Sequence, residues 1–139
     1  MNINSHFQQN IQSHSLILRF NQIIKKMYTI YHNPRCKKSR AGLQYVKDRT
    51  EDYKVVEYLK NPLTVEDLKL ILMRLNKRPF EMIRTQEAIY KSDFKAKNFT
   101  DEEWMEIIVE HPKLLKRPIV IKNNTAVWGD PAEEIEKLF

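Results

Sequence analysis

Residues 28–40 read YTIYHNPRCKKSR, and this stretch decides the fold. Its first four residues are of the aromatic and β-branched types that form short strands. The run from His32 to Pro34 is typical of a turn, and Cys36 stands where a helix is expected to begin. A thiol in that place lies near unpaired backbone N–H groups and the positive end of the helix dipole, which favour the thiolate. The stretch therefore predicts a strand, a turn and a helix with a nucleophilic cysteine at its start.

A lone cysteine has a simpler interpretation as a small buried hydrophobic residue. Four cationic residues flank Cys36, namely Arg35, Lys37, Lys38 and Arg40, and such a setting is poor for core packing. The same charges favour the thiolate, so we expect the pKa of Cys36 to lie below the value of about 8.5 of an ordinary thiol. The reactive interpretation is preferred on these grounds.

The composition excludes several kinds of site. With one cysteine in 139 residues, the chain has no internal disulfide and no Cys-rich zinc site, and a free thiol suits a reducing, cytoplasmic location. Its four histidines lack metal-ligand spacing, and its only glycines, Gly42 and Gly129, form no nucleotide loop. No apolar run approaches the roughly 20 residues that span a bilayer. We expect no metal, no bound cofactor and no membrane partner.

The net charge of +6 divides evenly between two parts of the chain. Residues 1–26 are rich in Asn, Gln and Ser, and they carry three basic residues and no acid. In residues 27–139 basic and acidic side chains alternate, which is typical of a solvated surface rather than of a nucleic-acid site. We expect 1–26 to be a dispensable or disordered extension, with a weak amphipathic helix over 15–26 as the alternative. The folded domain is expected over 27–139, with Met27 as a candidate natural start.

The order of predicted elements is β-α-β-α, a helical block, and then β-β-α. Thr64 and Thr100 have the residue pattern of helix N-caps, and Asn123-Asn124 that of a hairpin turn. This order is that of a thioredoxin-like α/β fold with a mixed sheet and an inserted helical lobe at about 79–111. The expected strands are 27–31, 53–58, 119–122 and 125–128, and the main helices are 37–49, 65–75, 101–109 and 132–138.

Three segments together carry a family resemblance. They are residues 32–40 (HNPRCKKSR), Ile83-Arg84, and residues 111–120 (HPKLLKRPIV). In order and spacing they resemble the glutaredoxin-coupled arsenate reductase family, which also holds Spx-type transcriptional regulators. The resemblance covers essentially all of 27–139 and implies a thioredoxin-like sheet with an inserted helical lobe.

The resemblance also implies a reaction. The thiolate of the cysteine that matches Cys36 attacks arsenate, glutathione attacks the adduct as cosubstrate, and glutaredoxin reduces the mixed disulfide as arsenite is released. The family's oxyanion-binding arginines match Arg84 and Arg117. An arginine fork suits a tetrahedral oxyanion because it donates paired hydrogen bonds and stays charged. Without the resemblance, a surface ion pair would be the ordinary interpretation of each arginine.

Further residues fall on motif positions. His32 is expected to lower the pKa of Cys36, either when protonated or by a hydrogen bond. Ser39 stands where dithiol oxidoreductases carry a second cysteine, so an external thiol must resolve any oxidised intermediate. Pro118 matches the proline whose peptide bond is cis beside the active site in thioredoxin-like folds.

Asp130 departs from the family pattern, because family reductases usually have a third oxyanion arginine there. An aspartate repels an anion, or else it serves only as the N-cap of the last helix. Arg40 is a local substitute for the missing arginine in this interpretation.

Three functions follow in order of preference. The first is a thiol-dependent arsenate reductase that uses glutathione and glutaredoxin. The second is a Spx-type regulator that binds RNA polymerase, although Ser39 removes the Cys-x-x-Cys switch of such regulators. The third is a general glutathione-dependent thiol reductase without arsenate activity. Tyrosine-phosphatase-like chemistry is excluded, since Gly42 occupies the arginine position of Cys-x5-Arg.

Overall fold

The fold is a four-stranded mixed sheet with helical layers on both faces. The computed structural model describes residues 13–19 and 27–139. The strands run in the order β2-β1-β3-β4, with β1 parallel to β2 and antiparallel to β3, and with β3 and β4 forming a hairpin. The expected thioredoxin-like sheet with an inserted helical lobe is confirmed. The main elements are β1 (Tyr28–Tyr31), α1 (Lys37–Lys47), β2 (Tyr53–Val56), α2 (Val65–Leu75), α3 (Asp101–Glu110), β3 (Ile119–Lys122) and β4 (Thr125–Trp128).

The two predicted threonine caps are confirmed. Thr64 accepts a hydrogen bond from the Asp67 N–H at 3.1 Å, and the Asp67 carboxylate accepts one from the Thr64 N–H at 3.0 Å. Thr100 and Glu103 form the same reciprocal pair at the start of α3. Each pair satisfies two N–H groups that the first helical turn leaves without a backbone partner. The caps therefore set where α2 and α3 begin.

The inserted lobe is less regular than a block of helices. It contains a 3-10 turn at Pro79–Met82, a π-helical turn at Tyr90–Phe94 and the helix α3. Aromatic rings hold these pieces together around Trp104, whose ring centroid lies 4.8 Å from that of Phe99 and 5.5 Å from that of Phe80. Contacts between aromatic rings, more than the hydrogen bonds of long helices, therefore hold this lobe together.

Two cores lie on opposite faces of the sheet. The larger one joins the sheet to α2 and the lobe, and the smaller one joins it to α1 and a C-terminal 3-10 helix, Ala132–Leu138. Because β3 is covered on both faces, its three apolar residues form a continuous run rather than an alternating pattern. Because both faces of the sheet are packed against other elements, the ends of its strands are held in fixed positions.

Several predicted boundaries need correction. Helix α1 ends at Lys47 rather than at residue 49, and β2 ends at Val56, so Tyr58 lies in the turn after it. The last helix is a 3-10 helix whose N-cap is Pro131. The alternative in which Asp130 serves as that N-cap is therefore wrong. The predicted hairpin turn is confirmed, with Asn123 in the left-handed region at φ 57°.

Little of the predicted extension can be compared with the structure. Residues 13–19 are helical and all of their side chains are exposed, whereas 1–12 and 20–26 lie outside the described residues. In the described ranges, no helix combines the length and the apolarity that crossing a bilayer requires.

Candidate active site

The candidate site lies at one edge of the sheet, where three chain segments meet. His32 and Asn33 follow β1, and Tyr58 follows β2, which is parallel to β1. Arg117 and Pro118 precede β3, whose first residue pairs with the last residue of β1. Ligands in open α/β sheets bind at the carboxyl ends of parallel strands, and this edge has that arrangement.

Cys36 is the N-cap of α1, as its position in the sequence predicts, and its thiol is partly exposed. Burial on its own would raise the pKa of Cys36. The backbone N–H groups of Ser39 and Lys38 and the positive charge of the Arg117 guanidinium outweigh that effect, so the net shift lowers the pKa of Cys36. The arrangement stabilises the thiolate, which is the nucleophilic form.

His32 contacts Ser39 rather than Cys36. Its Nδ1 lies 2.7 Å from the Oγ of Ser39, which also accepts a hydrogen bond from the Asn33 N–H at 3.0 Å. Both His32 and Ser39 are buried. Burial lowers the pKa of His32, although the Glu57 carboxylate opposes this, so the imidazole is neutral at pH 7. His32 thus positions Ser39 and the turn. Neither of the two expected influences on the Cys36 thiol, from an imidazolium or through a hydrogen bond, is the arrangement found.

A short antiparallel bridge brings the two predicted oxyanion arginines together. Ile83 pairs with Leu115, flanked by hydrogen bonds from the Arg84 N–H to the Leu114 carbonyl at 2.7 Å and from the Lys116 N–H to the Met82 carbonyl at 2.9 Å. This bridge ties the inserted lobe to the segment that leads into β3. The bridge therefore places Arg84 and Arg117 at the same site, although they are 33 residues apart in sequence.

The two arginines have different partners. Nε of Arg84 donates to the Glu87 carboxylate at 2.9 Å in a largely buried ion pair. Arg117 is buried, and its Nη1 donates to the carbonyls of Lys113 at 2.8 Å and Leu115 at 3.5 Å. Carbonyl oxygens carry no net charge, so the positive charge of Arg117 remains available to Cys36 and to a bound anion.

Both glycines of the chain make room for Pro118. The Arg117–Pro118 peptide bond is cis, as the resemblance implies, and the Asp130–Pro131 bond is also cis. A methyl group added at Gly42 would lie 2.4 Å from Cγ of Pro118, and one added at Gly129 would lie 3.1 Å from the same atom. Because α1 approaches Pro118 this closely, the helix that carries Cys36 is packed directly against the loop that carries Arg117.

The remaining charged residues lie at the rim. Nζ of Lys38 lies 2.7 Å from the Asp130 carboxylate. Arg40 is exposed and donates to the Pro34 carbonyl at 3.0 Å, so it braces the turn before Cys36. Its role as a substitute for the third arginine stays a prediction. Lys38, Asp130, Arg84 and Arg117 line a groove of about 960 Å³. Arg117 also lines a second groove of about 900 Å³, on the side of Asn33 and Glu87.

Comparisons with known proteins agree with this geometry. The ArsC family model matches residues 31–138, which include every segment of the site. The chain belongs to the ArsC family. An arsenate reductase of Neisseria meningitidis is 38% identical over 112 residues, which are 79% of this chain and 96% of that protein. The uncharacterized protein YfgD of Escherichia coli is 38% identical over 114 residues, covering 79% of this chain and 94% of its own.

Solved structures of ArsC-type proteins share the fold. The arsenate reductase from Vibrio cholerae superposes with a TM-score of 0.77 at 33% sequence identity, covering 81% of this chain and 98% of that one. An ArsC-family-related protein from Bacteroides fragilis superposes with a TM-score of 0.71 at 23% identity, which shows the fold alone. The likeness therefore extends over the sheet, the helices and the inserted lobe together.

Two residues at this ArsC-type site are not found by sequence reasoning. Tyr58 reads in the sequence as an ordinary strand residue, yet burial raises its pKa to about 12, and the nearby charges of Arg117 and Arg84 only partly oppose this. Glu87 lies three residues after Arg84, a spacing that predicts an ion pair on a helical turn. That spacing is a usable signal for Glu87, whereas no pattern in the sequence marks Tyr58.

Proposed function

We propose that this ArsC-family chain reduces arsenate to arsenite, with Cys36 as the nucleophile and glutathione as cosubstrate. The observation that carries the proposal is the position of Cys36 at the start of α1, where two backbone N–H groups and Arg117 lower its pKa. A stabilised thiolate beside a buried arginine both attracts an oxyanion and attacks it. The relatives from Neisseria meningitidis and Vibrio cholerae, at 38% and 33% identity, are arsenate reductases by name, which supports the choice of substrate.

In the proposed first step, the Cys36 thiolate attacks the arsenic of a bound arsenate. A sulfur–arsenic bond forms, and one arsenate oxygen leaves as water after protonation. Arg117 and Arg84 are assigned to bind the remaining oxygens, since a guanidinium fork matches two oxygens of a tetrahedral anion. Arsenic stays in its +5 state, so no electron has yet been transferred.

Reduction then requires a second thiol. Two electrons convert As(V) to As(III), and they come from two thiolate sulfurs that end as one disulfide. The chain has a single cysteine, and Ser39 occupies the place where a second one would serve, so the other sulfur must be external. Glutathione attacks the adduct, a Cys36–glutathione disulfide forms, and arsenite leaves. Glutaredoxin then takes the glutathionyl group and restores the Cys36 thiolate.

The charges at the site favour a second candidate, a general glutathione-dependent thiol reductase. Among Lys38, Arg84 and Arg117, Arg84 is paired with Glu87 and Lys38 with Asp130, whereas the hydrogen bonds of Arg117 go to carbonyl oxygens. The thiolate itself offsets the charge of Arg117. A multiply charged arsenate is therefore bound with less electrostatic stabilisation here than at a site with three unpaired arginines. A disulfide bond is neutral, so its binding does not depend on that positive charge. In either case the supply of glutathione and glutaredoxin implies a reducing, cytoplasmic location.

The test is turnover by purified protein with arsenate, glutathione, glutaredoxin and a recycling system that couples to NADPH. Arsenate-dependent NADPH oxidation that disappears in Cys36→Ser, and a Cys36–glutathione adduct in the mass spectrum, are the expected results. If a glutathionylated peptide is reduced and arsenate is not, the general thiol reductase is the function. If neither substrate reacts and no adduct forms, the assignment of Cys36 as a redox nucleophile is wrong.

A further inference from the structure

Tyr58 is a fully buried tyrosine whose hydroxyl lies at the candidate site. The residue has 0% exposure and follows β2 at the same sheet edge as Cys36. Burial raises the pKa of Tyr58 to about 12, and the charges of Arg117 and Arg84 oppose this shift in part. Tyr58 belongs to the larger core.

Two buried polar atoms here lack partners. Across residues 13–19 and 27–139, only Oη of Tyr58 and Nε of Arg117 are buried side-chain polar atoms without a hydrogen bond. An unpaired buried polar group destabilises the fold, so native structures rarely keep one without a reason. The two atoms are chemically complementary, because Nε–H is a donor and the phenol oxygen is an acceptor. Both residues lie at the same edge of the sheet, Tyr58 after β2 and Arg117 before β3, so the two atoms are candidates to pair in another state of the site.

We propose that Tyr58 is a positioning residue for Arg117, a role that rests on the oxyanion-binding function proposed above. In the present arrangement Nη1 of Arg117 is held by the Lys113 and Leu115 carbonyls. When an anion binds beside Cys36, the guanidinium turns towards it and the phenol oxygen accepts the Nε–H. One side of the guanidinium is then anchored, and both terminal nitrogens face the anion as a fork.

The choice of tyrosine has a physical reason. A carboxylate at this place would anchor Nε–H more strongly, but it would also neutralise the arginine, as Glu87 does for Arg84. A phenol whose pKa is about 12 is uncharged at every physiological pH, so it anchors the guanidinium and leaves its charge for the thiolate and the anion. Phenylalanine would fill the same space and leave the Nε–H without an acceptor.

The test is Tyr58→Phe, which removes one oxygen atom. We expect sulfate to bind at least about fivefold more weakly by calorimetry, and the midpoint of the Cys36 thiolate titration to rise by about 0.5 pH unit or more. Thermal stability should stay the same or rise, because an unpaired buried hydroxyl is lost. Tyr31→Phe is the matched control. Burial and the Asp67 carboxylate raise the pKa of Tyr31, and the charges that act on it are those of Asp67 and Arg74 rather than of Arg117 or Cys36, so this variant should change neither readout.

The proposal is overturned if Tyr58→Phe binds sulfate within twofold of the parent and titrates with the same midpoint. A second measurement uses the unaltered protein: saturating sulfate should shift the nitrogen-15 NMR signal of Arg117 Nε–H and slow its exchange with water. An Nε–H signal that sulfate leaves unchanged also overturns the proposal. None of these readouts uses arsenate turnover, so a protein that fails to reduce arsenate but shows all three effects retains Tyr58 as a positioning residue.

Discussion

Nζ of Lys38 lies 2.7 Å from Oδ2 of Asp130, and this ion pair joins the first turn of α1 to the loop before the C-terminal 3-10 helix. The backbone N–H of Lys38 contributes to lowering the pKa of Cys36, while its side chain is drawn to the aspartate. Asp130 thus removes a cation from the rim of the site as well as adding a negative charge there.

Replacing Asp130 should therefore strengthen anion binding. Asp130→Asn releases Lys38, and Asp130→Arg also supplies a third donor fork. We expect about threefold tighter sulfate binding for Asn and a larger gain, with faster arsenate turnover, for Arg. The Lys38 side chain is 59% exposed, so loss of the pair should change the free energy of unfolding by at most about 1 kcal/mol. Calorimetry and a urea unfolding curve measure the two effects.

Asp101→Asn is the control for these variants, because it breaks the exposed pair with Arg78 at the far side of the lobe. It should not change sulfate affinity. Equal sulfate affinity in the parent and in both Asp130 variants would mean that the Lys38–Asp130 pair has no influence on the anion site.

The planar forks of Arg84 and Arg117 should matter more for anions than for folding. Arg84→Lys and Arg117→Lys keep the charge but lose paired donation, so we expect sulfate to bind at least about tenfold more weakly in each variant, or about 1.4 kcal/mol. Arg78→Lys, which changes an exposed arginine of the lobe, should bind sulfate as the parent does. If both site variants match the parent, the oxyanion pocket lies elsewhere.

Deletion of residues 1–26 should leave the domain folded. In the described part of this segment, Leu16, Ile17 and Leu18 are each at least half exposed, so their apolar side chains make little contribution to the core. We expect a melting temperature within about 10 °C of the parent, measured by calorimetry, since a larger loss would correspond to several kcal/mol. Such a loss would show that the segment packs on the domain.

The strand–turn–helix around Cys36 could be predicted because its signals are local. An apolar run, an Asn-Pro turn and a thiol before a helix suffice to predict Cys36 as the N-cap. The local sequence likewise predicts Thr64 and Thr100 as the N-caps of their helices. The partners of the site residues are not local. The bridge between Ile83 and Leu115 and the pair between Lys38 and Asp130 join segments 32 and 92 residues apart.

Such long-range contacts depend on packing, which the periodicity of a sequence does not encode. Asp130 before Pro131 satisfies every local rule for an N-cap, yet its carboxylate binds Lys38 across the fold. Tyr58 has the residue type of a strand, and it becomes part of the site only because β2 ends two residues earlier, beside the loop of Arg117.

His32 should make stability fall as the solution becomes acidic. Burial lowers its pKa in the folded state, so the unfolded chain, with a histidine pKa of about 6.5, takes up the proton more readily. The stabilisation is therefore complete above pH 6.5 and is lost as pH falls below it, with a slope of at most about 1.4 kcal/mol per pH unit for one proton. Urea unfolding between pH 7.5 and 5, values on either side of about 6.5, measures this dependence.

His32→Gln should flatten that part of the pH profile, whereas His14→Gln, which replaces a histidine at an exposed position, should not. A parent whose stability is constant across this range would mean that the folded protein accepts a proton on His32 as readily as the unfolded chain does.

Gly42 should be required by the close approach of α1 to Pro118. In a helix interior, Gly→Ala normally stabilises by about 1 kcal/mol. Here the new methyl would lie 2.4 Å from Cγ of Pro118, well inside contact distance, and overpacking of this kind costs about 1–3 kcal/mol. Because Pro118 belongs to the loop of Arg117, the overlap falls on a ring atom that cannot move aside without disturbing the site. We expect Gly42→Ala to lower the melting temperature by several degrees and to raise the midpoint of the Cys36 titration. Ala41→Gly, at the exposed neighbouring position, is the control, because it changes helix propensity alone. It should lower the free energy of unfolding by about 1 kcal/mol and leave the midpoint of the Cys36 titration unchanged. A Gly42→Ala protein that melts higher than the parent would show that propensity outweighs the contact and that α1 does not depend on Pro118 for its position.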